Sequence, residues 1–456
     1  MRESKGLMTS GNIYKKIALF AIPLLLGNFF QLMYNTIDSI VVGNYVGKEA
    51  LAAVGASTPI INLLIAFFQG LATGAGVVVS RYYGAGKQED ESKAIHSFLL
   101  FSILFGVTLS IVGYFVSPII LRMMNTPSDY YTDADGYLAI YFLGATFLIV
   151  YNAGTGILQA VGDSKNPLYF LIATSILNIF LDLLFVKGFG MGVDGAAWAT
   201  IISECISMLL VINLLMRTKN EYKVTLKNLK IDFSVLKQIV VIGVPAGLQG
   251  MIVSVSNVIV MAYINQFGAS GVAGFSCSNK IDNFMGLPVN SLMLAITTFV
   301  GQNLGARQYE RVKQGVRAAL VMSISIVVTL GIFVFLFSDS LMRIFTSDMD
   351  VIEDGTIILR IMCPCYIFLC FHQVYSGALR ASGRSSVPMI TSIIAFVLMR
   401  QIFLAVAIPL YHHISIIGIG YSFTWAMAAL MTGIYYFTSN WLQKSMNEKK
   451  NEHLSY

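Results

Sequence analysis

A chain of 456 residues that is 56% hydrophobic and only 12% charged, with a mean hydropathy of +0.71, carries about half the charge of a globular domain, for which roughly 25% is usual. That composition excludes a soluble globular protein and points to an integral membrane protein. The net charge of +6 calls for no nucleic acid, because the excess is largely loop lysine and arginine collected on one face.

Crossing ~30 Å of hydrocarbon takes ~20 apolar residues in a helix, whereas barrel strands would give short alternating segments. Apolar runs recur from residue 17 almost to residue 438 and resolve into twelve predicted spans, near 16–40, 51–79, 94–117, 134–159, 167–186, 193–216, 235–263, 271–298, 314–337, 353–380, 386–408 and 415–438. The fold class is therefore all-α integral membrane. The first run follows Arg2, Lys5, Lys15 and Lys16 but is longer than a secretory signal and reads as an uncleaved helix. Placing both termini and the loops after even-numbered spans on one side collects most of the 30 lysines and arginines there, which predicts cytoplasmic termini.

A shift of 221 residues brings the halves into register. Between 47–94 and 268–315, ten of 48 positions are identical, and GILQAVGDSKNPL at 156 pairs with GALRASGRSSVPM at 377 in six of 13. Six spans per half give the halves one orientation, so a pseudo-two-fold axis along the membrane normal is expected, as in transporters built from parallel repeats. The predicted organisation is an N-lobe at 1–216, a charged cytoplasmic linker at 217–234, a C-lobe at 235–438 and a cytoplasmic tail at 439–456.

Ionisable groups at mid-membrane cost ~2.5 to 3.5 kcal/mol each on insertion scales and are functional candidates by default. In chain order, span 1 carries Gln31, Asn35 and Asp38 on one stripe, span 5 carries Asn178 and Asp182 in ILNIFLDLLF, and span 6 carries Thr200 and Glu204. Residues i and i+4 share a helix face. The three stripes are expected to enclose a polar pocket, in which Asp38, Asn178, Asp182 and Thr200 supply the hard oxygen ligands that small cations such as Na+ prefer. The same pocket suits a proton, since two carboxylates in a low dielectric do not both ionise cheaply and titrate as a unit. Packing across helices is the plainer reading of these groups, and for Glu204 the two readings weigh equally.

The second half offers less. Span 7 offers only polar residues such as Gln249, Ser254 and Asn257; span 8 has Lys280 and Asp282, which at i, i+2 point to different faces; span 10 has Gln373 and His372, the latter read as a packing residue; span 11 has Arg400. The five cysteines lie in apolar spans, and CPC at 363 to 365 reads as a proline kink before a metal site. GNYVGKE at 43 to 49 is no phosphate loop, and neither H-E-x-x-H nor G-x-S-x-G occurs, so no enzyme and no cofactor are expected.

With twelve spans, the six-plus-six repeat, Pro23 in the first helix and IDSIVVGNYVGKEALAAVG at 37 to 55, the chain resembles the multidrug and toxic compound extrusion (MATE) transporters over essentially its full length. The resemblance implies a cation site at Asp38, Asn178, Asp182 and Thr200, with Gln31, Tyr137 and Asn152 as accessory polar groups. It implies export of amphipathic, often cationic organic compounds in exchange for Na+ or H+, by a monomer in the bacterial cytoplasmic membrane among its lipids. Some members place acidic residues on helices 7 and 10; this chain has none there at mid-span, so coupling is expected in the N-lobe. The alternative is a flippase for a lipid-linked precursor, which would want several cavity arginines for a pyrophosphate head.

Overall fold

The computed structural model describes residues 6–452; Arg2, Lys5 and the last four residues of the expected tail lie outside the described residues. Sixteen α-helices follow one another: α1 (Ile13–Tyr45), α2 (Lys48–Ala85), α3 (Gln88–Met123), α4 (Ser128–Leu143), α5 (Ala145–Ala160), α6 (Lys165–Asp182), α7 (Gly192–Arg217), α8 (Phe233–Ile264), α9 (Gly268–Gly305), α10 (Tyr309–Met342), α11 (Met349–Met362), α12 (Tyr366–Ala381), α13 (Ser386–Ser392), α14 (Arg400–Leu410), α15 (Ser415–Thr438) and α16 (Trp441–Glu452). Among the described residues there is no strand. Among the described residues ten helical runs are long and apolar enough to cross a membrane, one of which, 233–305, holds both α8 and α9; α4 and α5 form a further span bent by 47°. Each of the twelve expected spans thus has its helix.

The helices run past the apolar stretches that announced them. α3 starts at Gln88 rather than near 94, with Glu89, Asp90 and Glu91 in its first turn, where negative charge suits the helix dipole. Two spans are broken. α4 gives way to α5 at Gly144, where a Cβ would come within 2.6 Å of the Ile201 side chain. The tenth span breaks at Cys363–Cys365, a 3-10 turn with proline inside it. Gly144 and Cys365 are 221 residues apart, so CPC is the counterpart of the Gly144 bend.

The repeat is carried by the backbone as well. α10, α11, α12 and α13 begin 221 residues after α3, α4, α5 and α6. The glycines that open the paired motifs also do the same work: a Cβ on Gly156 would lie 3.0 Å from the Ala72 carbonyl, and one on Gly377 would lie 2.8 Å from the Met293 carbonyl. Ala72 and Met293 again differ by 221.

The chain divides into two compact units. One comprises Leu26–Val244 with a short N-terminal stretch ending at Leu7; the other comprises Met8–Leu25 and Pro245–Tyr456. Each has its own apolar cores. In the first unit, α2, α3, α5 and α7 bury Phe68, Val78, Phe98, Ile157 and Leu215, and a second cluster gathers around Leu121, Leu138 and Ala196. The charged linker is part of this unit and is docked. Tyr222 and Val224 are buried, His96 Nε2 accepts from the Thr225 N–H at 3.0 Å, and Ser97 Oγ accepts from the Asp232 N–H at 2.8 Å while donating to the Lys230 carbonyl.

Candidate functional site

The first unit brings together the carboxylates of two helices. α6 ends its α geometry at Asp182 and continues as a π-helical turn over Leu183–Gly188, a distortion frequent at functional sites. Asp182 is fully buried and Asn178, one turn earlier on the same face, is 1% exposed. Asp38, buried on α1, faces Asp182 within hydrogen-bonding reach. Two carboxylates are both acceptors, so this approach needs a proton or a cation between them. Among the described residues, Asp38 Oδ1, both oxygens of Asp182 and both polar atoms of the Asn178 amide are buried without a hydrogen-bond partner. Buried polar atoms are usually paired, and an unpaired one costs about 1–3 kcal/mol. Five in one place are the marks of a site whose partner is not protein, and the set of carboxylate and amide oxygens fits Na+ or H+.

The remaining expected residues stand at different removes. Thr200, buried on α7, donates its hydroxyl to the Ala196 carbonyl at 3.1 Å and faces the hydroxyl of Tyr34, which itself lies within electrostatic reach of Asp38. Tyr137 is buried on α4 within reach of both Asp38 and Asp182. Asn152 turns away to its own helix, its amide donating to the Leu148 carbonyl at 2.8 Å. On α1, Gln31 is half-buried and Asn35 exposed, two turns and one turn before Asp38. Glu204 is half-buried on α7, one turn beyond Thr200, with Oε2 buried and unpartnered. Tyr34 was not singled out by sequence, although it sits at i−4 from Asp38 on the stripe that was.

In the second unit the charged residues within the spans have protein partners. Asp282 accepts from the Tyr366 hydroxyl, beside a small recess lined by Phe275, Ser278, Asn279, Met362 and Tyr421. Lys280 points elsewhere, over the Phe345 ring, as the i, i+2 spacing requires. Arg400 follows a second π-helical segment, Ile393–Met399; it donates to Asn257 Oδ1 at 3.1 Å and to Thr424 Oγ1 at 3.2 Å, and its guanidinium stacks 4.2 Å from the Tyr421 ring. His372 is the middle of a buried chain. Arg380 donates to Gln249 Oε1 at 2.7 Å, the Gln249 amide donates to Ser392 Oγ at 2.7 Å, and Ser392 and Thr432 bracket the His372 ring at 3.2 and 3.0 Å. Arg380 was missed by sequence; its only signal was charge inside GALRASG, where the first half has Gln159.

The MatE family model matches the chain twice, over residues 23–184 and 245–406. The chain is 29% identical to "Probable multidrug resistance protein YoeA" of Bacillus subtilis (strain 168) over 443 residues, 95% of this chain and 96% of that one. It is 30% identical to "Probable multidrug resistance protein YpnP" of the same organism over 434 residues, 95% and 97% of the two chains. Among solved structures, an outward-facing multidrug resistance MATE family transporter superposes with a TM-score of 0.92 at 25% identity, covering 97% of this chain and all of that one. A MATE in complex with MaL6 gives 0.91 at the same identity and coverage. One model matched on each half, relatives along nearly the whole chain and an all-helical fold shared with solved transporters lead to one conclusion: the chain belongs to the MATE family of multi-pass multidrug efflux transporters, and it is not an enzyme.

Proposed function

We propose that this protein is a secondary antiporter that exports amphipathic, often cationic organic compounds from the cytoplasm in exchange for Na+ or H+. The observation that carries the reading is the donor-free approach of Asp38 and Asp182 beside the unpartnered Asn178 amide. When a cation or a shared proton sits between the carboxylates, α1 and α6 are held together. When it leaves, two like charges in a low dielectric repel, and the two helices favour a different packing. A ligand with unequal affinity for two conformations is all that alternating access needs. In this reading the lobes are 1–216 and 235–438, the termini are cytoplasmic and the working unit is a monomer in the cytoplasmic membrane.

The test uses purified protein in liposomes, with export of a fluorescent organic cation recorded under a sodium gradient alone and then a pH gradient alone. One gradient should drive export in the wild type, and Asp182→Asn should lose that response. Unchanged transport by Asp182→Asn would reduce the pair to packing, and a protein idle under both gradients that binds a lipid-linked sugar would be a flippase.

A further inference from the structure

The charged segment between α7 and α8 is not a free tether. It is tied to the start of α3, and the ties set its height in the membrane. The apolar run of α3 begins near residue 94. At about 1.5 Å of rise per residue, Gln88 stands about 9 Å outside the hydrocarbon boundary, and His96 and Ser97 lie at it, within about 5 Å. Gln88 donates to Glu221 Oε1, and His96 Nε2 accepts from the Thr225 N–H at 3.0 Å. Ser97 Oγ accepts from the Asp232 N–H at 2.8 Å and donates to the Lys230 carbonyl at 3.2 Å. Residues 221–232 therefore descend through the headgroup layer, roughly 5–7 Å deep on each side of the core, and the chain turns into α8 at Phe233.

Within this strip the acids are occupied by the protein. Glu221 is held by Gln88, and Asp232 Oδ1 caps α8 by accepting from the N–H groups of Ser234 and Val235 at 3.0 and 3.1 Å. The lysines are left over. Lys219, Lys223, Lys227, Lys230 and, at the start of α8, Lys237 are exposed and form no ion pair among the described residues, whereas Lys87 and Lys93 on the α3 side are paired with Asp90 and Glu89. Tyr222 and Val224 are buried, but Leu226 and Phe233 are 67% and 78% exposed.

Exposed lysines alone are what any cytoplasmic loop collects. Here hydrogen bonds hold them at headgroup height beside two apolar side chains, and that arrangement binds anionic lipid: ammonium groups meet phosphate while apolar tips enter the acyl boundary. We infer that residues 219–237 form a docking strip for anionic phospholipid heads of the phosphatidylglycerol type. The strip takes from the orientation proposed above only that its leaflet is the cytoplasmic one; it is independent of which ion or compound is exchanged. Lipid seated there fastens the linker, and through Ser97 and Asp232 the start of α8, to the bilayer surface.

The experiment measures binding of a fluorescent long-chain phosphatidylglycerol to purified protein in a neutral detergent, in competition with unlabelled phosphatidylglycerol, phosphatidylcholine or inorganic phosphate. Phosphatidylglycerol should compete about a hundredfold better than phosphatidylcholine, at about fivefold for each of Lys223, Lys227 and Lys230, and added salt should narrow the gap. Inorganic phosphate should leave the signal unchanged. Lys223→Gln, Lys227→Gln and Lys230→Gln combined should bring the two lipids within about fivefold of each other, while arginine at the same three positions keeps the preference. Lys87→Gln with Lys93→Gln, which removes charge already paired, should change it by less than about twofold. A glutamine triple variant that binds as wild type does would overturn the inference, as would an equal loss in the arginine variant. An equal loss from the Lys87 and Lys93 pair would overturn it in favour of diffuse positive charge, and competition by inorganic phosphate in favour of a free-anion site. A protein idle under both gradients that still prefers phosphatidylglycerol would remove the antiporter reading and leave the lipid strip standing.

Discussion

Asp182 and His372 look alike in sequence, each the one ionisable residue at mid-span on its helix, and the structure separates them by their partners. The Gln249 amide already donates to Ser392 Oγ, so the Ser392 hydroxyl is free to donate to His372 Nε2, which leaves Nδ1–H to donate to Thr432. Both ring nitrogens are thereby committed in a neutral ring. The sequence could not show this, because Ser392 and Thr432 lie 20 and 60 residues away. His372→Ala should lower stability by about 1–3 kcal/mol through the loss of the ring's two buried hydrogen bonds, read as a fall in Tm. His372→Gln, which can still accept and donate, should leave the pH profile of export where it is. A shifted profile would make His372 part of the proton path and not of the packing.

At the scale of elements, hydropathy located the helices but not the places where they touch. Gly70/Gly74 and Gly243/Gly247 are spacings too common to mean much in a sequence, yet Gly74 turns out to be where α2 crosses α8: a Cβ there would stand 2.5 Å from the Gly243 nitrogen and 2.6 Å from the Ile239 carbonyl. Backbone cannot give way as a flexible side chain can. Gly74→Ala should therefore cost about 1–3 kcal/mol as an overpacked contact. Gly55, on the same helix, has nothing within 4 Å of its would-be Cβ. Gly55→Ala should be neutral or stabilise by up to about 1 kcal/mol through helix propensity. Thermal unfolding in one detergent compares the two directly, and equal effects would deny the close crossing. The two broken spans differ in legibility: CPC carries its own proline and reads as a kink along one helix, whereas the close approach of Ile201 to Gly144 belongs to a neighbour that no reading along one helix contains.

Across the whole molecule, a repeated backbone carries unrepeated charge. The twelve spans and the 221-residue offset were legible because apolar length and recurrent glycines leave a periodic trace. The proposed placing of the coupling in the first half rests on where the acids fall, which the sequence shows only in outline. At the same offset, Asp38, Asn178 and Asp182 have Ile259, Met399 and Phe403 as counterparts, so the second half has no copy of the pair. It has its own acid within a span, the half-buried Asp282, but the Tyr366 hydroxyl already donates to it, and Arg400 is tied by Asn257 and Thr424. A group whose hydrogen bonds are met within the fold gives little to an incoming ion, whereas one left without donors gives much. Asp282→Asn should thus lower Tm, since an amide is a weaker acceptor for Tyr366, while export in liposomes remains several-fold faster with the driving gradient than without it. Asp182→Asn should bring that ratio to about one. If Asp282→Asn also flattens it, both halves handle the coupling ion, and the charge asymmetry of the repeat does not set the direction of exchange.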